Sequence, residues 1–183
     1  MQSEVDLILA EGFEEIEAIT VVDVLRRADI PTRSWALESL SPCGAHGIRL
    51  HADALLEGAE EPQGRMVVLP GGMPGSANLR DNARVQALLR RYAQEGKWLA
   101  AICAAPIALA RAGLLDGKKV TSYPSVREQL EGASYLEQDV VVDAPLVTSR
   151  GPATALPFAL RLVALLRSEE AAEDLARRML WQA

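Results

Sequence analysis

The residue best placed to do chemistry in this sequence is Cys103, within the stretch 99–106 (LAAICAAP). The apolar run before it predicts a buried strand, and Pro106 suits the first turn of a helix. Small residues at Ala101 and Ala105 would let strand and helix close tightly about a nucleophile elbow. A thiol there would face unpaired N–H groups at a helix N-terminus, which favour the thiolate. The alternative is a small, buried and inert cysteine.

Acidic residues follow the first predicted strand, in the stretch 12–17 (GFEEIE). The simplest explanation is that carboxylates favour the first turn of a helix because they complement its dipole. Glu17 follows the apolar Ile16, and at helical spacing its side chain could point inward instead. A carboxyl group near a thiol could hydrogen-bond the sulfur and exchange protons with a substrate. Burial and a neighbouring thiolate would raise the pKa of that carboxyl group.

A glycine-rich loop, 70–75 (PGGMPG), ends the predicted strand 66–69. Glycines at a strand end allow backbone N–H groups to turn toward a bound oxyanion. The same glycines could simply make a tight turn. Because no GK[ST] sequence follows them, they do not form a phosphate-binding loop.

The two histidines, His46 and His51, lie close to Cys43 in one loop-to-strand segment. A metal site made of these three residues is conceivable, but their spacing matches no common zinc pattern and a fourth ligand is missing. A cysteine protease would need one of the histidines as its base. The sequence around Cys103 offers no histidine, which argues against peptidase chemistry.

Two further segments have an ordinary structural explanation beside a functional one. In 148–154 (TSRGPAT), Ser149 and Thr154 could be capping residues and Arg150 a surface charge. Tyr123 precedes a proline after a predicted strand, which is typical of a turn with a partly buried aromatic ring.

The composition excludes several classes of function. The chain has 183 residues, 49% of them hydrophobic, and a net charge of −6. No basic run indicates a nucleic-acid-binding module. No apolar run approaches the ~20 residues that a membrane span needs, and the first residues do not resemble a signal peptide. Two cysteines without a CxxC motif fit a reducing compartment, so we expect a cytoplasmic protein.

Short apolar strands alternate with helical patterns along the chain. Strands are predicted at 5–9, 32–37, 48–51, 66–69, 97–102, 119–122, 140–142 and 146–148, and helices at 13–28, 81–95, 106–113, 154–166 and 168–181. This alternation predicts one α/β domain over 1–183, with a mostly parallel sheet. Sites in such sheets gather at the carboxyl ends of strands, which would bring the loops 10–17 and 70–75 close to Cys103.

Five motifs, taken in order, resemble the ThiJ/PfpI superfamily, and within it the branch of the parkinsonism-associated protein deglycase and its bacterial counterparts. They are 12–17 (GFEEIE), 22–30 (VDVLRRADI), 67–72 (VVLPGG), 100–106 (AAICAAP) and 148–154 (TSRGPAT). The resemblance covers nearly the whole chain. It implies a flavodoxin-like three-layer sandwich with helices on both faces of the sheet. It also implies a homodimer with its active site near the interface, and a reactive rather than inert Cys103.

The resemblance assigns roles by position. Cys103 matches the family's nucleophilic and oxidation-sensing cysteine, and Glu17 matches the acid that hydrogen-bonds its sulfur. The backbone N–H groups of Gly72 and Ala104 match the oxyanion hole. Further positions near the pocket or the dimer contact are Glu14, Gly71, Arg27, His46, Tyr123, Arg150 and Pro152.

This chain departs from the family at two of these positions. Several members carry a histidine at the position of Tyr123, and others an arginine at the position of His46. The protease-like branch has a histidine directly after the cysteine, where this chain has Ala104. These departures leave no Cys–His dyad to carry over.

The resemblance implies one of two functions. The first is a glutathione-independent glyoxalase or deglycase, in which Cys103 attacks methylglyoxal or an early glycation adduct and Glu17 moves a proton. The second is a redox-sensing stress protein or chaperone controlled by oxidation of the same cysteine. Neither requires a metal or an organic cofactor.

Overall fold

A seven-stranded sheet forms the centre of the molecule. The structure, a computed structural model, describes residues 3–58 and 60–181. The strands run in the order β3-β2-β1-β4-β5-β9-β8. They are β1 (Val5–Leu9), β2 (Thr32–Ala36), β3 (Ala54–Leu55), β4 (Met66–Leu69), β5 (Trp98–Ile102), β8 (Val140–Asp143) and β9 (Leu146–Ser149). A separate pair, β6 (Lys119–Val120) and β7 (Ser134–Tyr135), lies beside it.

The central strands are parallel and completely buried. Every residue of β1 and β4 is buried, as their mainly apolar sequences predict for strands covered on both faces, although β1 includes Asp6. Only β8 runs antiparallel, paired with β9 at the edge of the sheet. The mostly parallel sheet predicted from the sequence is thus confirmed.

The helices form one layer on each face of this sheet. The first layer contains α1 (Glu15–Arg27), α5 (Ala155–Leu166) and α6 (Glu169–Arg178), with α5 packed between the other two. The second contains α2 (Gly75–Asp81), α3 (Ala83–Gln94) and α4 (Pro106–Arg111), in contact with one another. This is the flavodoxin-like three-layer α/β sandwich that the motifs implied.

The strand order places a switch point beside β1. The chain moves outward from β1 to β2 and β3 on one side, and to β4 and β5 on the other. Crevices at the carboxyl ends of strands form where the direction reverses in this way. The segments that follow β1, β4 and β5 therefore meet at one edge of the sheet. They bring together Glu17 in the first turn of α1, Gly71 and Cys103.

Several local predictions differ from the structure. Asn82, not Asp81, caps α3, because its side chain accepts the N–H groups of Arg84 and Val85. Residues 48–51 form no strand and contribute only an isolated bridge between Arg49 and Cys43. Ser168 caps α6 as predicted, by accepting the N–H of Ala171 at 3.2 Å.

Part of the prediction about the start of the chain falls on Met1 and Gln2, which lie outside the described residues. Within residues 3–58 and 60–181, no helix combines the length and apolar character needed to cross a membrane.

Candidate active site

Cys103 stands at a sharp turn between β5 and α4. Its φ is +62°, a left-handed conformation that costs energy for a residue with a side chain. Its N–H donates to the carbonyl of Ser149 at 2.9 Å, and its carbonyl accepts the N–H of Tyr123 at 2.8 Å. These bonds hold the elbow in place. The thiol lies at its tip and is 8% exposed.

Glu17 reaches this elbow from the first turn of α1. Its side chain is fully buried, on the same helix face as Ala18 and Val21, while Ile16 is 56% exposed. The side chain of Glu17 therefore points inward, which was one of the two orientations considered from the sequence. Its Oε2 accepts the N–H of Gly71 at 2.7 Å. Its Oε1 is buried and makes no hydrogen bond within the described residues.

Gly71 allows the cysteine and the carboxyl group to approach each other. A Cβ at this position would lie 2.5 Å from the Cβ of Cys103, 2.7 Å from Oε2 of Glu17 and 3.0 Å from the sulfur. Any side chain here would push the two groups apart. Gly72 has a φ of +90°. The backbone N–H groups of Gly72 and Ala104 are both directed at the sulfur of Cys103. These are the two N–H groups that the family resemblance assigns to an oxyanion hole.

Burial raises the affinity of both acidic groups for protons, and Glu17 raises that of Cys103 further. Burial raises the pKa of Glu17 to about 7. Burial, followed by the negative charge of Glu17, raises the pKa of Cys103 to about 12, against the opposing effect of the Gly72 and Ala104 N–H groups. Two negative charges in one buried site repel each other, so near neutral pH the pair retains a proton.

The expectation of a low thiol pKa from the helix terminus alone is therefore wrong. Desolvation and an ionised Glu17 raise the pKa of Cys103 by more than the N–H groups of Gly72 and Ala104 lower it. Once Glu17 is protonated, its charge no longer opposes the thiolate. The charge state of Cys103 thus depends on the proton of Glu17.

A cavity of about 420 Å³ opens above the thiol. Sequence reasoning named seven of its lining residues, which are Glu14, His46, Gly72, Cys103, Ala104, Tyr123 and Pro152. It missed Ile16, Met73 and Ser125. Ile16 and Met73 are apolar residues that do not pack in the core, because both are more than half exposed. Their apolar character outside the core pattern is the sequence feature that could have identified them.

Arg27 and Arg150 do not join this cavity. Arg27 is exposed at the end of α1, where its Nε donates to Asp23 at 2.6 Å. Arg150 lies 4.0 Å from the carboxylate of Glu137. Neither lines the space above Cys103. A dimer contact for these two residues stays a prediction.

His46 is fixed at the rim of the cavity rather than beside the thiol. Its Nδ1 is hydrogen-bonded to Oε2 of Glu15 at 2.9 Å, and Oε1 of Glu14 lies 3.7 Å away. Hydrogen bonding to Glu15, with the charges of both carboxylates, raises the pKa of His46. The Cys43–His46–His51 metal site considered from the sequence is not formed, because His51 pairs instead with Ser41.

Comparison with known proteins identifies the family of this chain. The DJ-1/PfpI family model matches residues 3–165. The chain belongs to the DJ-1/PfpI family. Protein dj-1beta of Drosophila melanogaster is 40% identical over 178 residues, covering 95% of each chain. The crystal structure of Drosophila DJ-1beta superposes with a TM-score of 0.95 at 38% identity, covering both chains completely.

Other relatives in the DJ-1/PfpI family carry more specific names. The glutathione-independent glyoxalase DJR-1.2 of Caenorhabditis elegans is 32% identical over 174 residues, covering 93% of this chain and 92% of its own. The structure of oxidized Toxoplasma gondii DJ-1 has a TM-score of 0.93 at 35% identity, with 98% of each chain covered. The chain spans less than half the length of two Arabidopsis thaliana DJ-1 homologues, 40% of one and 45% of the other.

Proposed function

We propose that this chain is a glutathione-independent glyoxalase, and a deglycase toward early glyoxal adducts, with Cys103 as its nucleophile. The observation that carries the proposal is the buried pair of Cys103 and Glu17 under an open cavity. A thiol, a carboxyl group that holds a proton near pH 7 and two N–H donors are the groups such a reaction needs. The reaction uses no metal and no organic cofactor.

The first step forms a bond between sulfur and carbon. The thiolate of Cys103 attacks the aldehyde carbon of methylglyoxal, and the carbonyl electron pair moves to the oxygen. The resulting oxyanion lies against the N–H groups of Gly72 and Ala104, which stabilise it. Protonated Glu17 gives its proton to this oxyanion, so the adduct is a hemithioacetal and Glu17 becomes a carboxylate.

The second step moves a proton between adjacent carbons. The Glu17 carboxylate removes the proton from the former aldehyde carbon, which gives an ene-diolate. It then returns that proton to the neighbouring carbon, while the hydroxyl proton of the first carbon passes to the oxygen of the second. The product is a lactoyl thioester on Cys103, which water hydrolyses to lactate and the free thiol. Oε1 of Glu17, which has no hydrogen-bond partner within the described residues, is the oxygen available for this transfer.

Methylglyoxal consumption tests the proposal directly. Wild-type protein and Cys103→Ser are incubated with methylglyoxal, without glutathione or metal, and lactate is measured. We expect many turnovers by the wild type and none by the variant, while Cys43→Ser retains the wild-type rate. A folded wild-type protein that makes no lactate would refute the enzyme. Release of lactate or glycolate from glycated peptides then tests the deglycase activity.

A redox-sensing stress protein is the second candidate, because a relative of the same fold has been characterised in an oxidized state. Oxidation of Cys103 to a sulfinate would place new oxygens beside the Gly72 and Ala104 N–H groups. Mass spectrometry after peroxide treatment distinguishes the two cysteines. If Cys43 gains oxygen before Cys103, the sensor assignment fails.

We further propose a homodimer in the cytoplasm, with the cavity close to the contact. Ile16 and Ile19 on α1 and Ile48 in the facing loop are between 44% and 56% exposed. Exposed apolar side chains grouped in this way are typical of an interface. Light scattering should give twice the chain mass for the wild type and a monomer for Ile19→Glu. A monomeric wild type would contradict the dimer.

A further inference from the structure

Three side chains that the proposed reaction does not use converge at the rim of the cavity. They are Glu14 and Glu15, at the start of α1, and His46 in the loop that faces them. One donor atom from each of the three lies within 4.8 Å of the other two. Nδ1 of His46 is 2.9 Å from Oε2 of Glu15 and 3.7 Å from Oε1 of Glu14.

The backbone holds Glu15 in a fixed position. Its Oε1 accepts the N–H groups of His46 at 2.7 Å and Ile48 at 3.3 Å. A Cβ at Gly44 would overlap the Glu15 carboxyl group, so the loop needs a glycine at this point. The N–H of Ala45 also donates to the carbonyl of Phe13 at 2.8 Å. Glu15 therefore keeps Oε2 directed at His46 without any ligand.

Glu14 has no hydrogen-bond donor of its own. Only 8% of the residue is exposed, and its carboxylate accepts no hydrogen bond from the described residues, although it lines the cavity. The side chain is 11% exposed, and its cationic neighbour is His46, at 3.7 Å, which is beyond hydrogen-bond distance. Because Glu14 lines the open cavity, a cation that enters the cavity can reach this carboxylate directly.

We propose that Glu14, Glu15 and His46 bind a divalent transition-metal ion, with Zn²⁺ as the best match. One imidazole nitrogen and two carboxylate oxygens suit Zn²⁺, whereas Mg²⁺ and Ca²⁺ favour oxygen ligands alone. Ligands bound tetrahedrally at roughly 2.0–2.2 Å are about 3.3–3.6 Å apart. The present spacings of 2.9 and 3.7 Å require only small shifts.

Binding exchanges a proton for the metal. The ion takes the place of the proton between Nδ1 of His46 and Oε2 of Glu15, and the imidazole keeps its other proton on Nε2. Glu14 supplies the third ligand, and a water molecule completes the coordination. The ion would face the same cavity as Cys103 without requiring its sulfur.

The inference does not depend on the proposed enzyme, so it is tested in a protein without thiols. In the Cys43→Ser/Cys103→Ser double variant, Zn²⁺ affinity is measured by competition with a chromophoric chelator. Co²⁺ provides a second readout, since a tetrahedral Co²⁺ site absorbs visible light and loses that absorption when Zn²⁺ displaces it. We expect one ion per chain, with no competition from Mg²⁺.

The two histidines of the sequence provide a matched control. His46→Ala and Glu14→Gln should each weaken Zn²⁺ binding by about tenfold or more, while His51→Ala leaves it unchanged. The side chain of His46 is 67% exposed, so its removal should not disturb the fold, as circular dichroism would verify. Absence of Zn²⁺ binding, or equal loss in His46→Ala and His51→Ala, would overturn the site.

Discussion

Two buried carboxyl groups at opposite edges of the sheet have very different surroundings. Asp6, near the start of β1, accepts hydrogen bonds from Ser3 Oγ, Trp35 Nε1, Tyr92 Oη and the N–H of Gly64, at distances of 2.6–2.8 Å. Glu17 lies beyond the other end of β1 and accepts one backbone N–H, from Gly71, with the Cys103 thiol as its side-chain partner. Both are completely buried.

The difference separates a structural charge from a reactive group. Four donors satisfy the oxygens of Asp6. Burial raises the pKa of Tyr92, and Asp6 raises it further. Glu17 keeps one oxygen unpartnered, and burial raises its pKa to about 7. A stable fold favours hydrogen bonds to every oxygen of both carboxyl groups. The oxygen of Glu17 that lacks a hydrogen bond therefore indicates a function.

Removing the structural carboxylate should have the largest effect on stability. Asp6→Ala leaves Trp35 Nε1, Tyr92 Oη and the N–H of Gly64 buried without an acceptor. We expect a loss of about 3–5 kcal/mol in the free energy of unfolding, measured by urea denaturation. A loss close to that of an exposed substitution would mean that the Asp6 network contributes no stability.

Removing the charge of the reactive carboxyl group should have the opposite effect on stability. The pKa of Glu17 in the folded protein, about 7, lies above its ordinary value of 4.5. The wild type therefore loses stability as pH rises from below 4.5 through 7, since the native state holds this proton more tightly. Glu17→Gln cannot ionise, so it should be more stable than wild type by about 3 kcal/mol at pH 8, and nearly equal at pH 4.5.

Urea denaturation at both pH values measures this difference. The exposed Glu57 offers a control, because Glu57→Gln should show no divergence between pH 4.5 and pH 8. A Glu17→Gln variant that parallels wild type across this range would show that Glu17 titrates normally.

Adding a methyl group between the cysteine and the carboxyl group should separate them. Gly71→Ala places a Cβ 2.5 Å from that of Cys103. We expect a cost of about 1–3 kcal/mol from overpacking, together with loss of methylglyoxal turnover. Gly96→Ala is the control, since its positive φ strains an alanine while a Cβ there meets nothing within 4 Å. It should retain turnover, and equal turnover in both variants would contradict the close-contact argument.

Removing one hydrogen-bond donor to Asp6 should have a smaller effect on the free energy of unfolding. Tyr92→Phe removes only the hydroxyl group, which donates to Asp6 at 2.6 Å, and leaves three other donors. Its expected cost is about 1–2 kcal/mol in urea denaturation. A cost equal to that of Asp6→Ala would show that the four donors do not share the carboxylate.

The sequence predicts the end of the sheet that holds Cys103 and Glu17 better than the end that holds Asp6. Apolar runs ending at Leu69 and Ile102 locate the strand ends, and the small residues around Cys103 favour the elbow. Parallel pairing then brings the loops together at the switch point. Glu17 could be identified as a candidate because its position on α1 permits an inward orientation. Which face of α1 is buried, however, depends on how the helix packs against the rest of the fold.

Other features depend on contacts between distant segments. The donors to Asp6 lie up to 86 residues away along the chain, and no local pattern connects them. The pairing of His46 with Glu15 depends on the path of the loop 40–51, where a strand was predicted. The raised pKa of Cys103 likewise depends on burial and on a charge from another helix.

The most direct test of the central claim is methylglyoxal turnover by Glu17→Gln, with lactate measured beside wild type and thermal melting to verify the fold. The account predicts a folded protein, more stable than wild type above pH 7, whose turnover falls by about 100-fold or more. A Glu17→Gln variant that makes lactate at the wild-type rate would remove Glu17 from the mechanism and contradict the account.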